Sequence, residues 1–171
     1  QLLAPLIPFD PEASSLPVIL AVVTLTNTRE EAYEASALFN WEHCSGWCGE
    51  SSPEFRGPIR SILIEQEQKL NPQIRDDEPH LPLLGGLVFV PESQDRGQYQ
   101  STQALLVRPQ SGATVSVMGW DYRNRTELEH FWDHFHNAGR LPNLISRSQK
   151  VSAGAVCQHF ELAPKETRQI V

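Results

Sequence analysis

Leu16-Pro17-Val18-Ile19-Leu20-Ala21-Val22-Val23-Thr24-Leu25-Thr26, then Asn27-Thr28-Arg29-Glu30-Glu31, then Ala32-Tyr33-Glu34-Ala35-Ser36-Ala37-Leu38-Phe39-Asn40-Trp41, is the stretch on which the fold turns. From Val18 to Thr26 the residues are β-branched or apolar on both period-2 faces, which suits a central strand covered on both sides. Ala35, Ala37, Phe39 and Trp41 then alternate with Glu34, Ser36 and Asn40, Leu38 being out of step, so the second run reads as a half-buried strand. The short polar break between the runs argues for an antiparallel hairpin of the sandwich type rather than a crossover unit. The rest of the chain is expected to cover that hairpin.

Working outward, Pro5, Pro8, Pro11 and Pro17 punctuate an irregular or edge-strand lead-in. His43 to Pro58, rich in Gly, Ser, Cys and Pro, reads as a long loop, and so does the polar, proline-punctuated Leu70 to Pro82. Ile59 to Ile64 and Leu84 to Pro91 read as strands. Gln103 to Val107 and Thr114 to Met118, separated by Arg108-Pro109-Gln110-Ser111-Gly112, read as a second hairpin. The period then changes. Leu128, Phe131, Trp132 and Phe135 share one helical stripe, with Thr126 and Glu129 as a capping box and Gly139 as the left-handed stop, so one amphipathic helix is expected near 126–138. Ser152 to Leu162 and Thr167 to Val171, split by Ala163-Pro164-Lys165-Glu166, read as a third hairpin. Short strands, turn signals, one helix and no βαβ rhythm predict a mainly β, antiparallel two-sheet sandwich.

The chain has 171 residues, 40% of them hydrophobic and 20% charged, enough for a core without staples. A net charge of −7 without a basic stripe excludes nucleic acid as a partner. The apolar run Val18 to Val23 is too short to span a bilayer, and no basic, then apolar, leader opens the chain. It begins at Gln1-Leu2-Leu3-Ala4 and ends in strand-like Arg168-Gln169-Ile170-Val171, so 1–171 reads as a single, truncated sandwich domain. Of the cysteines Cys44, Cys48 and Cys157, the first two lie four apart without a second ligand pair. Free thiols, a local disulfide and a metal site all remain open, free thiols being favoured. The odd count leans toward a reducing, cytoplasmic compartment.

Candidate chemistry is sparse. His130 and His134 share a helix face beside Asp133 and His136, yet Phe131-Trp132-Asp133 between them lacks the glutamate of zinc hydrolases. They lie opposite the apolar stripe, which makes a solvated face the expectation. The carboxylates Glu65, Glu67, Asp76, Asp77, Glu78 and Asp121 offer pairs without the fixed separation that glycoside hydrolysis needs. There is no Gly-x-Ser-x-Gly elbow, and Gly85-Gly86 lacks phosphate-loop spacing. Catalytic, cofactor and metal sets are therefore left empty. Asn124-Arg125-Thr126 is formally a glycosylation sequon. Trp41 and Trp132 fit core positions, whereas Trp47 and Trp120 lie in Gly-flanked stretches, where an indole either stacks on a sugar or packs on its own domain.

With the elements placed, Pro5-Leu6-Ile7-Pro8-Phe9-Asp10, Ser14-Ser15-Leu16-Pro17-Val18, Thr24-Leu25-Thr26-Asn27-Thr28 and Glu34-Ala35-Ser36 resemble the N-terminal β-sandwich domain of glycoside hydrolase family 116. This is the family of non-lysosomal glucosylceramidases and bile-acid β-glucosidases. Phe131-Trp132-Asp133-His134-Phe135 with Gly139-Arg140-Leu141 is similar to that family's helix, and Phe160-Glu161-Leu162-Ala163-Pro164 with Glu166-Thr167-Arg168 to its closing strands. His43 to Pro58, with two cysteines, departs from the pattern. The resemblance implies that both catalytic carboxylates belong to an (α/α)6 domain of the same polypeptide, which would bind the glucoside or glucosylceramide. This chain is then non-catalytic and inactive alone. The alternative is a stand-alone sandwich that binds carbohydrate or protein.

Overall fold

In the computed structural model the described residues are 2–3, 19–42, 59–64, 84–91, 103–121, 123–145 and 153–171. Among the described residues the structure is mainly β, with several antiparallel sheets and one helix. Two compact units are formed, one by 1–34 with 161–171 and the other by 35–160.

In the larger unit, β4 (Tyr33–Glu42), β8 (Thr114–Trp120), β9 (Leu144–Ile145) and β10 (Ala153–Leu162) form a sheet of order β4-β10-β8-β9. The β8–β10 ladder is antiparallel, with Val156 opposite Val117, while the short β9 runs parallel to β8. A second sheet has β6 (Gly85–Pro91) between β5 (Ile59–Ile64) and β7 (Gln103–Val107), both antiparallel to it. The two sheets face each other. A Cβ placed on Gly154 of β10 would lie 2.6 Å from Leu87 Cδ1 and 2.8 Å from Phe89 Cζ of β6. Leu87 and Phe89 are fully buried, so glycine is what lets the layers close at this point.

The other face of the four-stranded sheet carries α1 (Arg125–Ala138). Met118 and Trp120 of β8, with Ala153, Ala155 and Cys157 of β10, form a buried cluster with Phe131 of the helix and Leu141. Small residues on β10 leave room for the Phe131 ring. The helix begins at Asn124, whose side chain accepts from the Thr126 and Glu127 amides, rather than at a Thr126 capping box. It ends, as expected, at Gly139 with φ 62°. Of the predicted stripe Phe131 is buried and Leu128 and Phe135 pack partly against the cluster, whereas Trp132 is exposed because it lies on the flank of the stripe. His130, Asp133, His134 and His136 are exposed, as their opposite phase requires.

In the smaller unit, β1 (Leu2–Leu3) pairs antiparallel with β2 (Leu20–Ala21), and β3 (Val23–Thr26) with β11 (Thr167–Ile170). The expectation that Val18 to Thr26 is a central covered strand is overturned. Ile19 is 64% and Leu20 45% exposed, and along β3 only alternate residues are half-buried. The doubly covered strand is β10, with eight of its ten residues buried.

All three predicted hairpins contain correctly placed strands whose pairing differs. Strand β3 pairs with β11 and β4 with β10, and β7 joins β6 while β8 joins β10. The reason for the first exchange is visible at Asn27, which is buried although polar. Its side-chain amide donates to the carbonyls of Glu31 (2.8 Å), Leu162 (3.1 Å) and Ala163 (3.0 Å), and its Oδ1 accepts from Arg29 N. Its backbone N–H donates to Glu166 O. The polar break after β3 is thus closed by its own local bonds and at the same time tied to the turn between β10 and β11. For β7 and β8 the turn at Gln110–Ala113 carries the chain from one layer to the other.

Gly154→Ala is expected to lower stability by about 1–3 kcal/mol through overpacking, and Gly154→Val by more, as read by urea denaturation. Asn27→Ala should cost roughly 2–3 kcal/mol by orphaning buried carbonyls. Asn27→Asp, though isosteric, should be at least as damaging, because a carboxylate has no N–H to give and would face carbonyl oxygens. An Asn27→Asp variant as stable as the parent would refute this account of the turn.

Candidate functional site

The tryptophans named from sequence are placed differently by the fold. Trp120 is the last residue of β8, 3% exposed and stacked on Phe131 with ring centroids 4.4 Å apart. Its expected loop position is corrected: the strand continues past Gly119, and its indole belongs to the core. Trp47 lies outside the described residues, as do Cys44, Cys48, Glu65, Glu67, Asp76, Asp77 and Glu78. Trp41, expected in the core, is 46% exposed near the end of β4, and its Nε1–H donates to Gln103 Oε1 at 3.2 Å. The period-2 pattern places Trp41 in register with the buried Ala37, yet the last three residues of β4 are exposed. Only its position one residue from the end of its strand could have signalled that.

The carboxylates Asp121 and Glu127 organise the start of α1. Glu127 Oε2 accepts from Asp121 N, Glu127 Oε1 accepts from Asn124 Nδ2, and Asp121 Oδ1 accepts from Arg123 N. Among the described residues no group of three His, Cys, Asp or Glu side chains could hold a metal ion. No helix there is long and apolar enough to cross a membrane.

One trio resembles a nucleophilic site, and sequence spacing did not reveal it. Ser36 of β4, with Cys157 and His159 of β10, meets the end of α1 at Gly139. Ser36 Oγ donates to Gly139 O and lies 2.9 Å from His159 Nδ1, while Cys157 Sγ donates to the same carbonyl at 3.5 Å. Because the serine gives its only proton to the carbonyl, the imidazole proton sits on Nδ1. Burial pushes the Cys157 thiol up to about 11, against weaker opposing hydrogen bonds with Ser116 and Ser36. A thiol held protonated is a poor nucleophile, so the trio closes the helix end onto the sheet. The proton is held more tightly in the folded state, so stability is at its full value below pH 9 and is lost as pH rises toward about 11. In a Cys44→Ser/Cys48→Ser background, Cys157 should resist a disulfide reagent at pH 8 until denaturant is added; rapid labelling of the folded protein would contradict this.

No curated protein matches the chain. The family model described as "beta-glucosidase 2, glycosyl-hydrolase family 116 N-term" matches residues 1–171. The mainly β architecture of the described residues, with the capped helix Arg125–Ala138, agrees with the family resemblance read from the sequence. The chain therefore belongs to the N-terminal domain family of glycoside hydrolase family 116.

Proposed function

We propose that this chain is a non-catalytic sandwich domain that packs on a catalytic (α/α)6 domain of the same polypeptide. The observation that carries the reading is the match of residues 1–171 to the N-terminal part of the family. Supporting it, the suggestive side chains in the described residues are committed to structure: Ser36, Cys157 and His159 hold the helix end, and Asp121 and Glu127 its start. Exposed apolar side chains such as Leu84, Trp132 and Leu144 are the kind of surface a tethered neighbour covers. The substrate reading is a β-glucoside, glucosylceramide included, hydrolysed on that neighbouring domain in the cytoplasm.

The purified 171-residue chain is expected to release no nitrophenol from an aryl β-glucoside at concentrations where the whole enzyme turns over readily. Turnover by the chain itself, abolished by a substitution within it, would overturn the non-catalytic assignment.

A further inference from the structure

His130 and His134 stand one turn apart on α1, and both are exposed. A step of four residues along a helix brings two side chains back to one face, with about 5–6 Å between their Cβ atoms. The backbone that carries them is fixed before any ligand arrives, because Asn124 caps its start, Gly139 closes its end and Phe131 is buried in a stack with Trp120. Neither imidazole is committed elsewhere: among the described residues neither makes a hydrogen bond or an ion pair. That separates them from the other candidate donors, since Cys157 and His159 bond at the end of the helix and Glu127 at its start. His136 is exposed too, but two positions past His134 it lies on another side of the helix.

We propose that His130 and His134 form an open chelating site for a divalent late first-row transition ion of the Ni²⁺, Cu²⁺ and Zn²⁺ class. Neutral imidazole suits these ions, whereas Ca²⁺ and Mg²⁺ call for carboxylate and carbonyl oxygens. Once one imidazole has bound, the fixed helix holds the second at high effective concentration, so the pair binds more tightly than either ring alone. Asp133 on the same helix and the net charge of −7 favour a cation. Two protein ligands leave the other coordination positions to water, so binding is reversible, unlike the closed sets of structural zinc or the three-ligand sets of catalytic zinc. The site rests on the spacing, exposure and freedom of this pair, not on the packing of the domain against another.

The test is a calorimetric titration of the tag-free Cys44→Ser/Cys48→Ser chain with NiCl₂, which keeps those two thiols out of the competition. One ion should bind with a dissociation constant on the order of 100 µM, and MgCl₂ at about tenfold excess should not displace it. His130→Asn and His134→Asn should each weaken binding about tenfold or more, since one imidazole alone does not chelate, while His136→Asn should change nothing. Asp133→His in the His134→Asn background restores a pair three residues apart and should recover much of the affinity. All these positions are exposed, so the variants should keep the parent's circular dichroism. Absence of binding below about 5 mM, an affinity that survives His130→Asn or His134→Asn, or an equal loss in His136→Asn would each overturn the proposal.

Discussion

Both faces of β10 are covered, and each presents side chains of the size its neighbour leaves room for. Toward the helix it offers Ala153, Ala155 and Cys157, over which Phe131 settles fully buried. Toward the second sheet it offers Gly154, then Val156 and Phe160, with Leu87 and Phe89 filling the space a Cβ would have taken. Close packing makes these choices interdependent, because an added methyl on either face meets atoms that are themselves buried. The layers of the larger unit meet on this strand and on the one beside it. Its neighbour β8 repeats the arrangement, with Met118 and Trp120 on the helix side and Val117 fully buried on the other.

In the smaller unit, polar chemistry plays the part that packing plays in the larger. Asn27 is well suited to fasten a turn to a distant turn, since its amide supplies donors and an acceptor at one point. Through it the break at 27–31 bonds to carbonyls at 162 and 163. Around the tie lie the Lys165 Nζ bond to Thr28 O, the Arg168–Glu166 pair and the Arg29 guanidinium 4.5 Å over Tyr33. Most of these are surface contacts of modest worth. The Asn27 side chain matters more, because it is itself buried and its bond to the Leu162 carbonyl lies away from water.

A serine, a histidine and a cysteine meet, yet the carbonyl at the helix end takes the protons of the serine and the thiol, and burial keeps the thiol neutral. Proximity of suggestive residue types is thus no evidence of catalysis until proton positions and burial are read with it. Trp120 makes the complementary point. Its glycine neighbour is compatible with a loop, but Gly119 continues the ladder opposite Gly154, and the indole goes inward.

The order of residues alone determined most strand segments, though not β1 or β9, together with the amphipathic helix and its Gly139 stop, the antiparallel β class and the family, because period, turn chemistry and motif are local properties. Only the tertiary structure decided which strands pair and which strand is central. Hydropathy favoured Val18 to Thr26, rich in large apolar side chains; the centre went to Ala-Gly-Ala-Val-Cys-Gln-His-Phe, whose small residues admit neighbours on both sides. Size complementarity between segments a hundred residues apart leaves no periodic trace in either of them, and the same holds for the Asn27 tie that sends β3 and β4 to different partners.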